Sequence, residues 1–144
     1  AGTVLNAEQL KRAVDAGARF IVSPGLTEGV ACAAEAAGVP LLAGVTSASD
    51  IMRGLDLGLD RFKFFPAETS GGAAALSAFA GPFADIAFCP TGGINPANAG
   101  GYLGLGTVLC VGGAWVTPKD ALAARNWSRV TELARAASQL RPAS

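Results

Sequence analysis

The chain has 144 residues, 51% of them hydrophobic and 15% charged, and its 11 basic and 11 acidic side chains cancel. That length and apolar content fit one domain with a sizeable core and exclude a disordered chain. The missing Lys/Arg cluster excludes nucleic acid and anionic membrane as partners, and the absence of histidine excludes imidazole bases, His-based triads and HExxH zinc sites.

Short β-rich runs alternate with Ala/Leu-rich helical stretches at a period of roughly twenty residues. GTVL (2–5) reads as a strand, followed by the helix NAEQLKRAVDAG (6–17) with Asn6 as N-cap and Gly17 as stop. RFIVSPG (19–25) and the helix TEGVACAAEAAG (27–38) come next, ending at Gly38. PLLAGV (40–45) precedes the helix SASDIMRGLDLG (47–58), ending at Gly58. RFKFFPA (61–67) leads into SGGAAALSAFAG (70–81), and DIAFCPTGG (85–93) into NPANAGGYLGLG (95–106), whose glycines predict a short or frayed helix. TVLCVGG (107–113) closes the series before one longer terminal helix over 118–140. There is no linker, so residues 1–144 read as a single domain of about six βα units.

The strands are nearly continuous apolar runs, as in a parallel sheet covered on both faces. Polar and Gly-rich residues gather at their C-terminal ends, in SPG, GVTS, PAETSGG, PTGG and VGG. The dinucleotide fingerprint GxGxxG is absent from the first turn. The pattern therefore fits a (β/α)₈ TIM barrel, which places its active site at those ends and its phosphate site in the last loops. About six of the eight units are present, so the expectation is that one or two units precede Ala1.

Cys32, Cys89 and Cys110 are odd in number, widely spaced and set in apolar surroundings. They read as buried free thiols of a reducing cytoplasm, with no disulfide, metal or cofactor role. Trp115 and Trp127 read as core or subunit interface, and Met52 and Tyr102 carry no functional signal.

Lys63 lies inside the apolar strand RFKFFPA. Strand alternation puts Arg61, Lys63 and Phe65 on one face and Phe62 and Phe64 on the other. Burial disfavours an ammonium and lowers its pKa, which frees the amine to form a Schiff base with a ketone. The competing reading is a snorkelling lysine, or one paired with a carboxylate such as Glu68. PTGGINP (90–96) and VGGAW (111–115) each set paired glycines after a strand, where backbone N–H groups can approach an anion near a helix start. Thr91 adds a hydroxyl at the same mouth.

Together GTVLN, SPG, RFKFFPAETSGG, FCPTGGINPAN and LCVGGAW resemble the bacterial 2-keto-3-deoxy-6-phosphogluconate (KDPG) aldolases, including those with 4-hydroxy-2-oxoglutarate (KHG) aldolase activity. The resemblance implies a class I aldolase on a TIM barrel, a cytoplasmic homotrimer without cofactor. Its reaction splits the phosphorylated keto acid into pyruvate and glyceraldehyde 3-phosphate in the Entner–Doudoroff pathway, and 4-hydroxy-2-oxoglutarate into pyruvate and glyoxylate. It makes Lys63 the Schiff-base lysine, with Thr3 and Pro24 at the pyruvate end and Phe65 beside the iminium. Thr91 would influence stereochemistry at the aldehyde, and Gly92, Gly93, Gly112 and Gly113 would hold the phosphate.

Two departures stand against the pattern. The family's general-base glutamate and a substrate-binding arginine are expected before Ala1, leaving Glu68 and Glu28 as the carboxylates near strand tops. Ala114 stands where serine is common; one lost hydroxyl hydrogen bond costs about 1 kcal/mol, roughly five-fold in phosphate affinity. The alternatives are a catalytically silent barrel fragment, serving as assembly unit or phosphate scaffold, and a 2-dehydro-3-deoxy-6-phosphogalactonate aldolase.

Overall fold

The computed structural model describes residues 1–142. Helices α1 (Ala7–Asp15), α2 (Glu28–Ala36) and α3 (Ala48–Asp56) each begin at a polar cap, of which Asn6 was the one expected. The Asn6, Thr27 and Ser47 side chains accept from the N–H groups of Gln9, Val30 and Asp50, supplying acceptors for the otherwise unpaired first-turn donors. The expected stops Gly17, Gly38 and Gly58 all take positive φ.

Strands β1 (Ile21–Val22), β2 (Leu41–Val45), β3 (Arg61–Phe64) and β4 (Ala87–Pro90) form a parallel sheet in sequence order. Two further segments extend it. Residues 1–4 run beside β1, with Val22 N–H donating to Ala1 O at 2.8 Å and Val4 N–H to Val22 O at 3.1 Å. Residues 107–112 run beside β4 through parallel bridges Phe88–Val108 and Thr91–Gly112. These six strand-like segments with intervening helices are the partial barrel expected from the alternating pattern.

Between those two bridges the outer segment contains one residue more than β4. Such a bulge kinks a strand and re-aims its side chains. It carries Leu109 and Cys110, both exposed.

Sequence order 1-2-3-4 with parallel pairing requires each helix to cross back over the sheet. The apolar helix faces pack on one side of it. Ile21, Leu41 and Ala43 meet Leu10 of α1 and Val30, Ala31 and Ala34 of α2. Phe62, Phe64 and Phe88 meet Ile51 of α3, Leu76 of α4 (Gly72–Phe79), and Ala99 and Tyr102 of α5 (Ala99–Leu103). Phe79 packs edge-on against Phe64 at 6.2 Å between centroids, a favoured aromatic geometry. Burial alternates along β3 and β4, whereas near-continuous apolar sequence had pointed to two covered faces. The less buried face carries Arg61, Lys63 and Cys89.

Helix α5 is short, as its glycines predict. The single helix expected over 118–140 is instead two, α6 (Lys119–Ala123) and α7 (Trp127–Ser138). Arg125 takes φ 51° at the break, and Asn126 caps α7 by accepting from Arg129 N–H at 3.1 Å. Arg129 also pairs with Asp120 at 2.6 Å, tying the two helices together. The expectation of buried thiols is corrected too: all three cysteines are free, but Cys32 and Cys110 are exposed and Cys89 is half-buried. No helix among the described residues is long and apolar enough to cross a membrane.

Candidate active site

Lys63 stands in a row across three strands, with Gly44 of β2 and Cys89 of β4 as its register partners. It is half-buried rather than sunk in the core. Its Nζ lies 4.3 Å from the centroid of the Phe65 ring, and no ion pair among the described residues includes it. Burial holds its pKa below the ordinary lysine value, while the Cys89 thiol pulls the other way. The cation–π contact also favours the charged form. Burial wins, so the amine is easier to deprotonate than a surface lysine.

Gly44 has no side chain for a steric reason. A Cβ there would lie 2.0 Å from the Pro24 carbonyl oxygen. The turn after β1 therefore folds directly over β2, beside Lys63. Pro24, Gly44 and Phe65 line one cavity of about 260 Å³ with Gly25, Thr46 and Asp50. Asp50 adds a carboxylate at the strand ends that the sequence pattern had not placed there. It is already committed, accepting from the N–H and hydroxyl groups of both Thr46 and Ser47. Burial pushes its pKa up, but these hydrogen bonds outweigh it and the net shift is downward.

Cys89, the register partner of Lys63, also influences Cys110 of the neighbouring segment. The neighbouring Cys89 holds the Cys110 thiol below its ordinary value. The Cys89 thiol is pushed up, first by Cys110 and then by burial.

The two glycine pairs meet through Thr91. A Cβ on Gly112 would lie 2.5 Å from Thr91 Oγ1, and the two residues form a backbone bridge. Gly92 and Gly93 adopt φ 102° and 79°, and a Cβ on Gly93 would reach 2.5 Å from Glu68 Cγ. Conformation and space both demand glycine there. Gly112 N–H donates to Pro90 O at 2.9 Å, whereas the Gly93 and Gly113 N–H groups have no protein acceptor among the described residues. Gly113 leads straight into a 3₁₀ turn, Ala114–Val116, whose Trp115 ring occupies the space of a Gly113 Cβ. The first pair does not lead into a helix: α5 starts at Ala99, after a turn in which Asn95 and Asn98 donate to Gly93 O.

Of the residues singled out from sequence, Lys63, Pro24 and Phe65 fall together, and Thr91 joins Gly92, Gly93, Gly112 and Gly113 one strand away. Thr3 lies apart, lining a cavity with Gly2, Gln9 and Arg12, and has φ 57°. Glu28 is exposed in the first turn of α2. Glu68 does not pair with Lys63; it accepts from the Tyr102 hydroxyl. Gly44 carried a legible signal, a glycine inside a strand, which marks close backbone approach.

A sequence model described as KDPG and KHG aldolase matches residues 1–133. The KHG/KDPG aldolase of Escherichia coli K12 is 55% identical over 137 residues, 95% of this chain, which spans 64% of that protein's length. The 2-dehydro-3-deoxy-phosphogluconate aldolase of Zymomonas mobilis is 51% identical over 144 residues, covering 100% of this chain and 68% of its own. The fold superposes on a crystal structure of KDPG aldolase from Legionella pneumophila, with pyruvate captured at low pH as a covalent carbinolamine. The TM-score is 0.93 at 47% identity, covering 95% of this chain and 66% of the other. A native KDPGal structure is more distant, with a TM-score of 0.75 at 26% identity, covering 97% of this chain and 69% of that one.

Proposed function

This chain belongs to the KDPG and KHG aldolase family, and we propose that it supplies the Schiff-base lysine and phosphate turns of a class I aldolase acting on 2-dehydro-3-deoxy-6-phosphogluconate. The observation that carries the reading is Lys63: a half-buried amine with a lowered pKa, free of any ion pair among the described residues, in the same row as the Pro24–Gly44 contact. Capture of pyruvate as a carbinolamine in the Legionella relative supports the same chemistry here. The gluconate-derived substrate is favoured over the galactonate-derived one by 47–55% identity to the KDPG relatives against 26% to the KDPGal structure.

In this reading the neutral Nζ attacks the C2 carbonyl of the keto acid. The carbinolamine loses water to give an iminium. The C3–C4 bond then breaks, its electron pair flowing into the iminium to form an enamine as the C4 hydroxyl yields its proton and C4 departs as the aldehyde of glyceraldehyde 3-phosphate. Protonation at C3 and hydrolysis release pyruvate and restore the amine. Glu68 and Asp50 are engaged with Tyr102 and with the α3 cap, so neither is assigned the C4 proton. Pro24 and Phe65 confine the pyruvate end, Thr91 faces the aldehyde, and Gly92, Gly93, Gly112 and Gly113 hold the phosphate. Thr3 belongs to the pyruvate end by resemblance alone, as do the homotrimer and the cytoplasmic location.

Pyruvate plus borohydride tests the assignment, because reduction converts the iminium into a stable secondary amine. A mass increase on the peptide carrying Lys63, lost in Lys63→Ala, is the expected result. An adduct that survives Lys63→Ala refutes it.

A further inference from the structure

The turns that follow β3 and β4 are joined by more than their strands. Ala67 N–H donates to Thr91 O at 2.8 Å and Glu68 N–H to Gly92 O at 3.1 Å. Pro66 Cα stands 3.1 Å from where a Gly92 Cβ would be, and the Glu68 side chain fills the place of a Gly93 Cβ. The Glu68 carboxylate is then gripped from α5, where the Tyr102 hydroxyl donates to Oε1. Tyr102 is 2% exposed, so its ring is fixed by the core beneath both turns. Burial, and then the carboxylate, push its phenol above the ordinary value, which keeps it a donor.

We propose that Glu68 and Tyr102 are a positioning pair: they lock the β3 turn against Gly92–Gly93 and so set affinity for the phosphate end of the substrate, leaving Lys63 reactivity unchanged. The geometry separates the two effects. Lys63 projects from the strand itself, on the face opposite the core that holds Tyr102. The Gly93 N–H, by contrast, belongs to the turn against which Glu68 packs. Without the Tyr102 hydroxyl the carboxylate loses its anchor, and a turn built on two left-handed glycines is free to sample other conformations. An anion site that must be ordered on binding is a weaker one.

The inference rests on the phosphate-turn assignment above but not on the Schiff base, and two measurements keep them distinguishable. Inorganic phosphate is titrated calorimetrically into the unmodified chain, Tyr102→Phe and Glu68→Gln, and Lys63 trapping by pyruvate and borohydride is timed in all three. Tyr102→Phe removes one hydroxyl from a packed ring, and Glu68→Gln keeps an oxygen that can accept the phenol proton. Expected is a roughly five-fold loss of phosphate affinity in Tyr102→Phe, with less than about two-fold change in Glu68→Gln, and equal trapping rates throughout. Unchanged phosphate affinity in Tyr102→Phe, a parallel fall in trapping, or no phosphate binding by the unmodified chain overturns the proposal. Loss of trapping in all three with the phosphate pattern intact sinks the Schiff base alone.

Discussion

Lys63 is balanced by opposing influences. Removal from water disfavours its ammonium form, whereas the Phe65 ring face 4.3 Å away and the Cys89 thiol favour it. A lowered pKa means that the fraction of neutral amine at a given pH exceeds that of a free lysine. Trapping by pyruvate and borohydride should therefore rise with pH and reach its midpoint below about 10.4, the unperturbed lysine value. Phe65→Leu keeps apolar bulk but removes the ring face. Loss of about 0.5–1 kcal/mol of cation–π attraction should move the midpoint down by roughly half a unit, at 1.36 kcal/mol per unit. A midpoint that rises instead shows that the ring acts chiefly as a water shield. Stopped-time trapping with mass spectrometry across a pH series decides between them.

Among the elements, β2 and its neighbouring turn show how backbone, rather than side chain, shapes the site. Gly44→Ala puts a methyl group against a carbonyl oxygen that no rotamer change can move away. The turn carrying Pro24 must shift, and an overpacked position of this kind costs on the order of 1–3 kcal/mol. The expected outcome is a lower melting temperature together with slower pyruvate trapping at Lys63. Melting lowered with trapping unchanged would detach Pro24 from the pyruvate end. Much at this scale was legible beforehand. The Asn6 cap, the glycine stops and the alternation of β3 are local signals, each within a few residues of its effect. The division of the last helix was not, because Asn126 sits in a run of good helix formers. Only its capping bond to Arg129 and the positive φ of Arg125 distinguish it from an interior position. The Glu68–Tyr102 contact was equally hidden: 34 residues separate its partners, and a lone tyrosine in a glycine-rich helix gives no period or motif to read.

Over the molecule as a whole, the parallel order of the sheet segregates two tasks. The aromatic side chains of β3 and β4 meet the helices on one face, and the row Gly44–Lys63–Cys89 lies on the other. Because successive strands are parallel, every turn with polar or glycine residues opens at the same end, bringing Pro24, Phe65, Thr91 and the glycine pairs to neighbouring strand ends from segments far apart in sequence. The six-segment alternation was readable for that reason, while the half-exposed inner face was not, since strand sequences alone do not say which faces are covered. The two tryptophans fall on unequal sides of this arrangement: Trp115 rests on Gly113, and Trp127 is 59% exposed at the start of α7. Under the phosphate assignment proposed above, Trp115 would serve as an optical sensor and Trp127 as its internal standard. Titrated inorganic phosphate should alter the short-wavelength indole emission and leave the long-wavelength component steady. Trp115→Phe should abolish the response, and a signal persisting in that variant would place the anion elsewhere.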